Sequence, residues 1–99
     1  MNEEQYLLQC LQEEAAEVIH AASKCNRFGL ESTNPEYQID NRQHLENEVG
    51  DLMGVLKILY KRTIIRMPPS YIELFKEKKV LDSIELAREL GTVDGPKHE

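Results

Sequence analysis

The stretches EEAAE (residues 13–17) and EVGD (residues 48–51) each lie within a run of sequence that has helical apolar spacing. At about 100° per residue, Glu14 falls in the middle of the apolar stripe of the first run, and Glu17 lies on the edge of that stripe. In the second run Glu48 falls at the centre of the stripe and Asp51 on its border. The sequence therefore predicts two helices that each direct acidic side chains towards the core.

Acids in such positions need a positively charged partner, because an uncompensated buried carboxylate costs several kcal/mol. No lysine or arginine lies one turn from Glu14. Carboxylates at positions i and i+3 on two facing helices offer hard oxygen donors, which suit Mg²⁺ or Mn²⁺ better than Zn²⁺. The pattern predicts a divalent metal site formed by Glu14, Glu17, Glu48 and Asp51. The alternative is that these acids lie on solvated helix faces. That interpretation is typical of one isolated pair of acids at positions i and i+3, and it fits two such pairs less well.

The pattern E-E-x-x-E followed by E-x-x-D resembles the metal-binding signature of the all-α nucleoside triphosphate pyrophosphatases. This is the superfamily of MazG, the dimeric dUTPases and the phosphoribosyl-ATP pyrophosphohydrolases, and the resemblance is closest to the small MazG-like proteins. It covers the first two thirds of the chain, and residues 50–52 (GDL) match a usual family sequence. The spacer of thirty residues between Glu17 and Glu48 is slightly longer than usual, which predicts an extended loop or an extra helical turn.

The resemblance implies Mg²⁺-dependent hydrolysis of a (deoxy)nucleoside triphosphate to the monophosphate and pyrophosphate. The four acids named above would hold two or three Mg²⁺ ions, for which Mn²⁺ could substitute. Glu13 would either support these ligands without contacting the metal or act as a proton acceptor. The resemblance also implies a homodimer or homotetramer. Nucleotide-pool sanitation and depletion of dGTP or GTP in a viral setting are both compatible with such a chain.

Length and composition predict one soluble domain, residues 1–99, of which 40% are apolar and 30% charged. Residues 1–66 are expected to hold the metal-binding helices and the loop between them, 67–92 a C-terminal helical segment and 93–99 a tail. The predicted fold is all-α, with two long antiparallel helices and shorter C-terminal helices. Because so short a chain buries a limited core, the long helices are expected to form a four-helix bundle with a second protomer.

Helix boundaries follow from capping residues. The first helix is expected to run from an N-cap at Asn2 to about Arg27, and the second from a capping box at Asp40 to about Arg66. A loop is expected between them. Ser70 is predicted to cap a third helix, which is either one kinked helix or two helices separated near Asp82.

The net charge of −6 argues against nucleic acid or an anionic membrane as a partner. A nucleotide would therefore need local bases to bind its phosphates. Two groups of bases are candidates, one at the end of the first helix and one on the third helix: Lys24 and Arg27, and Lys76, Lys78 and Lys79. The third helix is expected to close over the phosphate tail. The alternative for Lys24 and Arg27 is that they only complement the C-terminus of the first helix. The alternative for the three lysines is that they lie on a solvated helix face.

Two other functions remain open. One is a non-catalytic helical module that binds a nucleotide or a protein. The other is a carboxylate-bridged di-iron protein, suggested by the ExxH of residues 17–20, although a second such motif is missing. His20 is expected to be partly exposed, and His44 is expected to have no partner at helical spacing.

The two cysteines indicate a reducing compartment. Cys10 and Cys25 would stand roughly 22 Å apart on one helix, which is too far for a disulfide, so both are expected to be buried thiols. No secretory signal or apolar run of spanning length is evident, so a cytoplasmic protein is expected.

Overall fold

The computed structural model describes residues 1–36 and 38–96, and the chain divides into two compact units, Met1–Arg66 and Met67–Glu99. The first unit contains two long helices joined by a short strand pair, and the second contains one helix. In chain order the elements are α1 (Glu3–Phe28), β1 (Thr33–Asn34), β2 (Ile39–Asp40), α2 (Asn41–Lys61) and α3 (Ser70–Leu90). The predicted all-α class is confirmed. That the whole chain acts as one domain stays a prediction.

Helix α1 begins and ends where its capping residues predict. The Asn2 side chain accepts a hydrogen bond from the Gln5 backbone N–H at 2.8 Å, and the Gln5 side chain accepts one from the Asn2 N–H at 2.9 Å. This reciprocal capping box satisfies two backbone donors that a helix start leaves without partners. Gly29 follows the helix with a φ of 95°, which glycine adopts at little cost.

Helices α1 and α2 pack against each other as an antiparallel pair. Arg62, at the end of α2, forms an ion pair with Glu3 at the start of α1. At the opposite end the Asn41 side chain, at the start of α2, donates to the Gly29 carbonyl at 3.0 Å. Among the described apolar side chains only Ala21 and Leu59 are fully buried, so the core of this unit is small.

The connection between the helices differs from the predicted loop. Residues Thr33–Asn34 pair with Ile39–Asp40 as a two-stranded antiparallel ladder in which Thr33 lies opposite Asp40. Backbone hydrogen bonds from Asn41 N–H to the Ser32 carbonyl and from Arg42 N–H to the Leu30 carbonyl, both 2.9 Å, continue the pairing towards α2. The sequence did not predict this ladder because its strands are too short to show an alternating apolar pattern.

Helix α2 starts as predicted and ends earlier than predicted. The Asp40 side chain accepts from the Gln43 N–H at 2.7 Å and caps the helix. The helix ends at Lys61 instead of continuing to about Arg66. Thr63 has a φ of 56° and its N–H donates to the Tyr60 carbonyl, while the Ile64 N–H donates to the Leu59 carbonyl. These two bonds form a Schellman ending, which is the physical reason for the early stop.

The second unit contains a single uninterrupted helix, α3. It passes through Asp82, whose carboxylate pairs with Lys78 one turn earlier at 2.7 Å, so the alternative of two shorter helices is wrong. Pro69 occupies the N-cap position and Ser70 lies inside the helix, so the predicted Ser70 cap is also wrong. Gly91 ends the helix in the left-handed conformation, as expected. Of the predicted tail, residues 97–99 lie outside the described residues.

None of the helices in the described part of the chain combines the length and apolarity that crossing a membrane requires.

Candidate metal centre

Three carboxylates converge in the groove between α1 and α2. One oxygen from each of Glu14, Glu48 and Asp51 lies within 4.8 Å of the others. Two oxygens on opposite sides of one Mg²⁺ ion would be about 4.2 Å apart, since each bond is about 2.1 Å long. Small side-chain rotations would therefore let the three residues share a cation.

Helical spacing and antiparallel packing together build this cluster. Glu48 and Asp51 are three residues apart on α2, so their side chains lie on neighbouring parts of one helix face. Glu14 lies near the middle of α1 and faces them across the groove. The sequence pattern predicted the pairing of acids along each helix, and the packing of the helices brings Glu14 of α1 to the two acids of α2.

The electrostatics of Glu14 indicate a site with excess negative charge. Its side chain is half-buried, and its pKa is raised above the ordinary value of a glutamate, first by desolvation and then by the charges of Asp51 and Glu48, with smaller effects of Glu17 and Glu13. Within the described residues, no lysine or arginine forms an ion pair with the three clustered carboxylates. A donor set of hard oxygens without a basic partner fits a divalent cation such as Mg²⁺.

His44 contacts the cluster, contrary to the expectation that it has no partner. Its Nε2 atom lies 3.2 Å from Glu48 Oε1, and both side chains are largely buried, with 12% and 17% of their surfaces exposed. The signal in the sequence was the i, i+4 spacing of His44 and Glu48, which places the two side chains one turn apart on α2. A ring N–H that donates here would fix the orientation of the Glu48 carboxylate.

Glu17 and Glu13, the remaining predicted acids, are exposed on α1. Glu17 is not part of the group of three whose oxygens lie within 4.8 Å of one another. Glu13 accepts a hydrogen bond from the Gln9 side-chain amide at 3.4 Å. The structure thus brings together three of the four predicted metal ligands, and the role of Glu17 as a ligand stays a prediction.

The predicted phosphate-binding bases fall into two environments. Lys24 is half-buried and lines a pocket at the end of α1. The Arg27 guanidinium lies over the Phe28 ring, 4.9 Å from its centroid. Lys76 and Lys79 are exposed side chains of α3, in the second compact unit.

The residues that suggested other chemistry do not form a second centre. His20 is exposed, as expected, and it lies outside the carboxylate group. Both cysteines are free thiols, but they are half-buried and not fully buried as expected. The Cys25 thiol donates to the Asn41 carbonyl at 3.4 Å, so it helps to hold the start of α2 against α1.

The fold and site define an all-α protein with a carboxylate cluster between two antiparallel helices. Comparisons with protein-family models, with curated proteins and with solved structures gave no match. The resemblance to the all-α pyrophosphatases therefore rests on the acidic residues of α1 and α2 and stays a hypothesis.

Proposed function

We propose that the protein hydrolyses a (deoxy)nucleoside triphosphate to the monophosphate and pyrophosphate in a Mg²⁺-dependent reaction. The observation that carries this proposal is the convergence of the Glu14, Glu48 and Asp51 carboxylates within 4.8 Å. Three like charges held close together raise the free energy of the folded chain, so the cluster does not by itself stabilise the fold. A bound cation explains the cluster better. Phosphoryl transfer is the chemistry that such cation sites commonly support.

In this proposal the acids have two kinds of role. Glu14, Glu48 and Asp51 would hold Mg²⁺, with Glu17 completing the set if its side chain rotates towards the groove. When bound, the metal would neutralise charge on the phosphate oxygens and lower the pKa of a water molecule for in-line attack. Glu13, one residue before Glu14 and exposed, is suited to accept a proton from solvent-accessible water.

The same proposal includes assembly with a second copy into a four-helix bundle, as a homodimer or a dimer of dimers. Two apolar side chains of the helix pair illustrate the need for a partner: Ile19 is 70% exposed and Met53 is 63% exposed. A helix pair with so small a core is marginally stable alone, and burying these side chains against a second copy would stabilise both. The two free thiols favour a reducing, cytoplasmic setting.

Metal-dependent release of pyrophosphate from a panel of common and modified triphosphates tests the proposal. We expect release in Mg²⁺ or Mn²⁺, none in EDTA, and a loss of about 100-fold or more in turnover for Glu48→Gln and Asp51→Asn. Glu46→Gln is the matched control, because Glu46 is an exposed acid of the same helix outside the cluster. We expect its turnover to match the wild type.

Each alternative function predicts a different result. Binding of a nucleotide or a protein without pyrophosphate release from any triphosphate would favour the non-catalytic module. Iron in the purified protein together with a visible absorption band would favour the di-iron protein. Equal turnover in Glu48→Gln and wild type would reject the assignment of the site.

A further inference from the structure

A pocket of about 440 Å³ lies where the end of α1 meets the strand pair and the start of α2. This volume falls within the roughly 300–1,000 Å³ of typical small-molecule sites. The described residues of its walls supply an aromatic ring, a proline ring, two hydroxyls, one amide and one ammonium group: Lys24, Phe28, Ser32, Thr33, Pro35 and Asn41. None of these residues belongs to the carboxylate cluster.

Hydrogen bonds around Asn41 hold the walls of the pocket in place. Asn41 is 4% exposed, its side chain donates to the Gly29 carbonyl at 3.0 Å, and its backbone N–H donates to the Ser32 carbonyl at 2.9 Å. The Asn41 carbonyl accepts from the Cys25 thiol at 3.4 Å. The pocket is therefore formed before a ligand arrives, and this lowers the conformational cost of binding.

The charge of the pocket walls is opposite to that of the chain. The sequence has 18 acidic and 12 basic residues, yet the described residues that line the pocket include one lysine, Lys24, and no acid. Arg27 places a second cation beside the same wall, because its guanidinium lies 4.9 Å from the centroid of the Phe28 ring. The pocket therefore favours an anion over a cation.

The apolar part of the walls suits a flat ring. Phe28 is 59% exposed, so a large aromatic surface lies in contact with water. Pro35 supplies a second rigid apolar surface. A ligand ring that stacks on Phe28 would remove apolar surface from water and gain the attraction between two aromatic rings.

The pocket lies too far from the carboxylate cluster for one small ligand to occupy both. Phe28 follows Glu14 by fourteen residues on α1, and Asn41 precedes Glu48 by seven on α2. At 1.5 Å per residue these separations are about 21 Å and about 10 Å along the helices. A ligand in the pocket would therefore bind without contacting the metal centre.

We propose that this pocket is a second, separate ligand site, which binds a compact organic anion: a planar ring that carries one carboxylate or phosphate group. The ring stacks on Phe28, and the anionic group pairs with the ammonium group of Lys24, one turn earlier on α1. The Thr33 hydroxyl, in the same wall, is a donor of the kind that anionic oxygens accept. This inference does not depend on the proposed function.

Binding measurements in EDTA test the site with four probes. Phenyl phosphate and benzoate carry a ring and an anionic group, benzyl alcohol has a ring without charge, and inorganic phosphate has charge without a ring. Calorimetry and amide chemical shifts follow the binding. We expect phenyl phosphate or benzoate to give saturable shifts between residues 24 and 41 with about millimolar dissociation constants, and the other two probes to bind at least about tenfold more weakly. Comparison of the two ring-bearing anions shows whether a phosphate or a carboxylate fits better.

Two substitutions separate the contributions of the ring and of the charge. Phe28→Ala should weaken binding of the preferred anion about tenfold, and Phe28→Tyr should restore it. Lys24→Gln should weaken the same anion about tenfold and leave the affinity for benzyl alcohol unchanged. Matched controls are Tyr6→Ala and Lys57→Gln, because Tyr6 is also 59% exposed on α1 and Lys57 is an exposed lysine of α2 outside the pocket. We expect both to bind like the wild type.

Glu48→Gln should keep the wild-type affinity for the anion, because Glu48 belongs to the cluster and not to the pocket. Loss of binding in this variant would overturn the separation of the two sites. The ligand site itself would be overturned by the absence of saturable shifts between residues 24 and 41, or by equal affinity in Phe28→Ala, Lys24→Gln and wild type. Shifts of these amides with protein concentration alone, together with no probe binding, would assign the pocket to a contact with a second copy and would also overturn it.

Discussion

The Nε2 atom of His44 lies 3.2 Å from Oε1 of Glu48, one turn further along α2, and both side chains are largely buried. The contact places an imidazole ring beside one of the three clustered carboxylates. A partner of this kind fixes the rotamer of a metal-binding side chain. His44 is therefore a positioning residue for the proposed metal centre.

We predict that His44→Ala weakens Mn²⁺ binding about 10- to 100-fold, as is usual when a hydrogen-bond partner of a metal ligand is removed. His44→Gln keeps a side-chain donor and should recover part of the affinity. His20→Ala, which removes an exposed histidine of α1, is the control. The measurement is Mn²⁺ titration followed by electron paramagnetic resonance, and equal affinities in His44→Ala and wild type would remove His44 from the site.

Divalent metal should stabilise the fold, because an ion that binds only the folded chain lowers its free energy by mass action. At a metal concentration ten times the dissociation constant the gain is about 1.4 kcal/mol, or roughly 5–10 °C in melting temperature. Glu14→Gln should abolish this shift. Glu17→Gln decides the role of the fourth acid: a retained shift means that Glu17 is not a ligand. A wild-type melting curve that millimolar Mg²⁺ leaves unchanged would contradict the site.

The metal-free protein should lose stability as pH rises. The pKa of Glu14 is raised in the folded state, so between its unfolded and folded values the folded chain binds more protons. Its contribution therefore becomes unfavourable as pH increases above about 4.3 and is constant above the folded pKa. In EDTA at neutral pH we expect Glu14→Gln to unfold at higher urea concentration than wild type, with the difference shrinking towards acid pH. A difference in urea midpoint that grows on acidification would contradict a raised pKa for Glu14.

Gly54 offers a test of the proposed assembly. It lies inside α2, and a Cβ atom added there would meet nothing within 4 Å in the single chain. Gly54→Ala should then raise the free energy of unfolding by about 0.5–1 kcal/mol, since glycine is a poor helix former. Denaturation and sedimentation of the variant check this. Destabilisation together with a weaker dimer would show that a second copy packs closely against this face.

The lysines of α3 are predicted to hold the phosphate tail. Replacing Lys76, Lys78 and Lys79 by Gln should raise KM and reduce its dependence on salt, because fewer charges attract the phosphates. Lys24→Gln should lower turnover instead. The measurement is steady-state kinetics at salt concentrations from about 50 to about 300 mM, a range over which the Debye length falls through about 10 Å. It distinguishes an effect on KM and its salt dependence from an effect on turnover. If the triple variant keeps both constants within about twofold, α3 is not a phosphate-binding element.

Several features of the fold follow from local sequence. Asn2 and Asp40 cap α1 and α2 where the sequence predicts, and Gly29 and Gly91 end α1 and α3. Capping depends on a few neighbouring residues, so it can be read without knowledge of the tertiary structure. The strand pair at Thr33–Asn34 was not predicted because its strands are too short to show an alternating pattern. The Schellman ending at Thr63 was not predicted because a threonine occupies the left-handed position that glycine usually takes.

The sequence by itself determined that acids interrupt two helical apolar stripes, since the 3.6-residue period fixes which side chains share a face. Only the tertiary structure decided which acids meet. Packing of α1 against α2 brings Glu14 to Glu48 and Asp51 and leaves Glu17 exposed, because the groove sets the distance across the pair. The pocket at Phe28 and Asn41 likewise exists only after the strand pair folds between the helices, since its walls come from three separate elements.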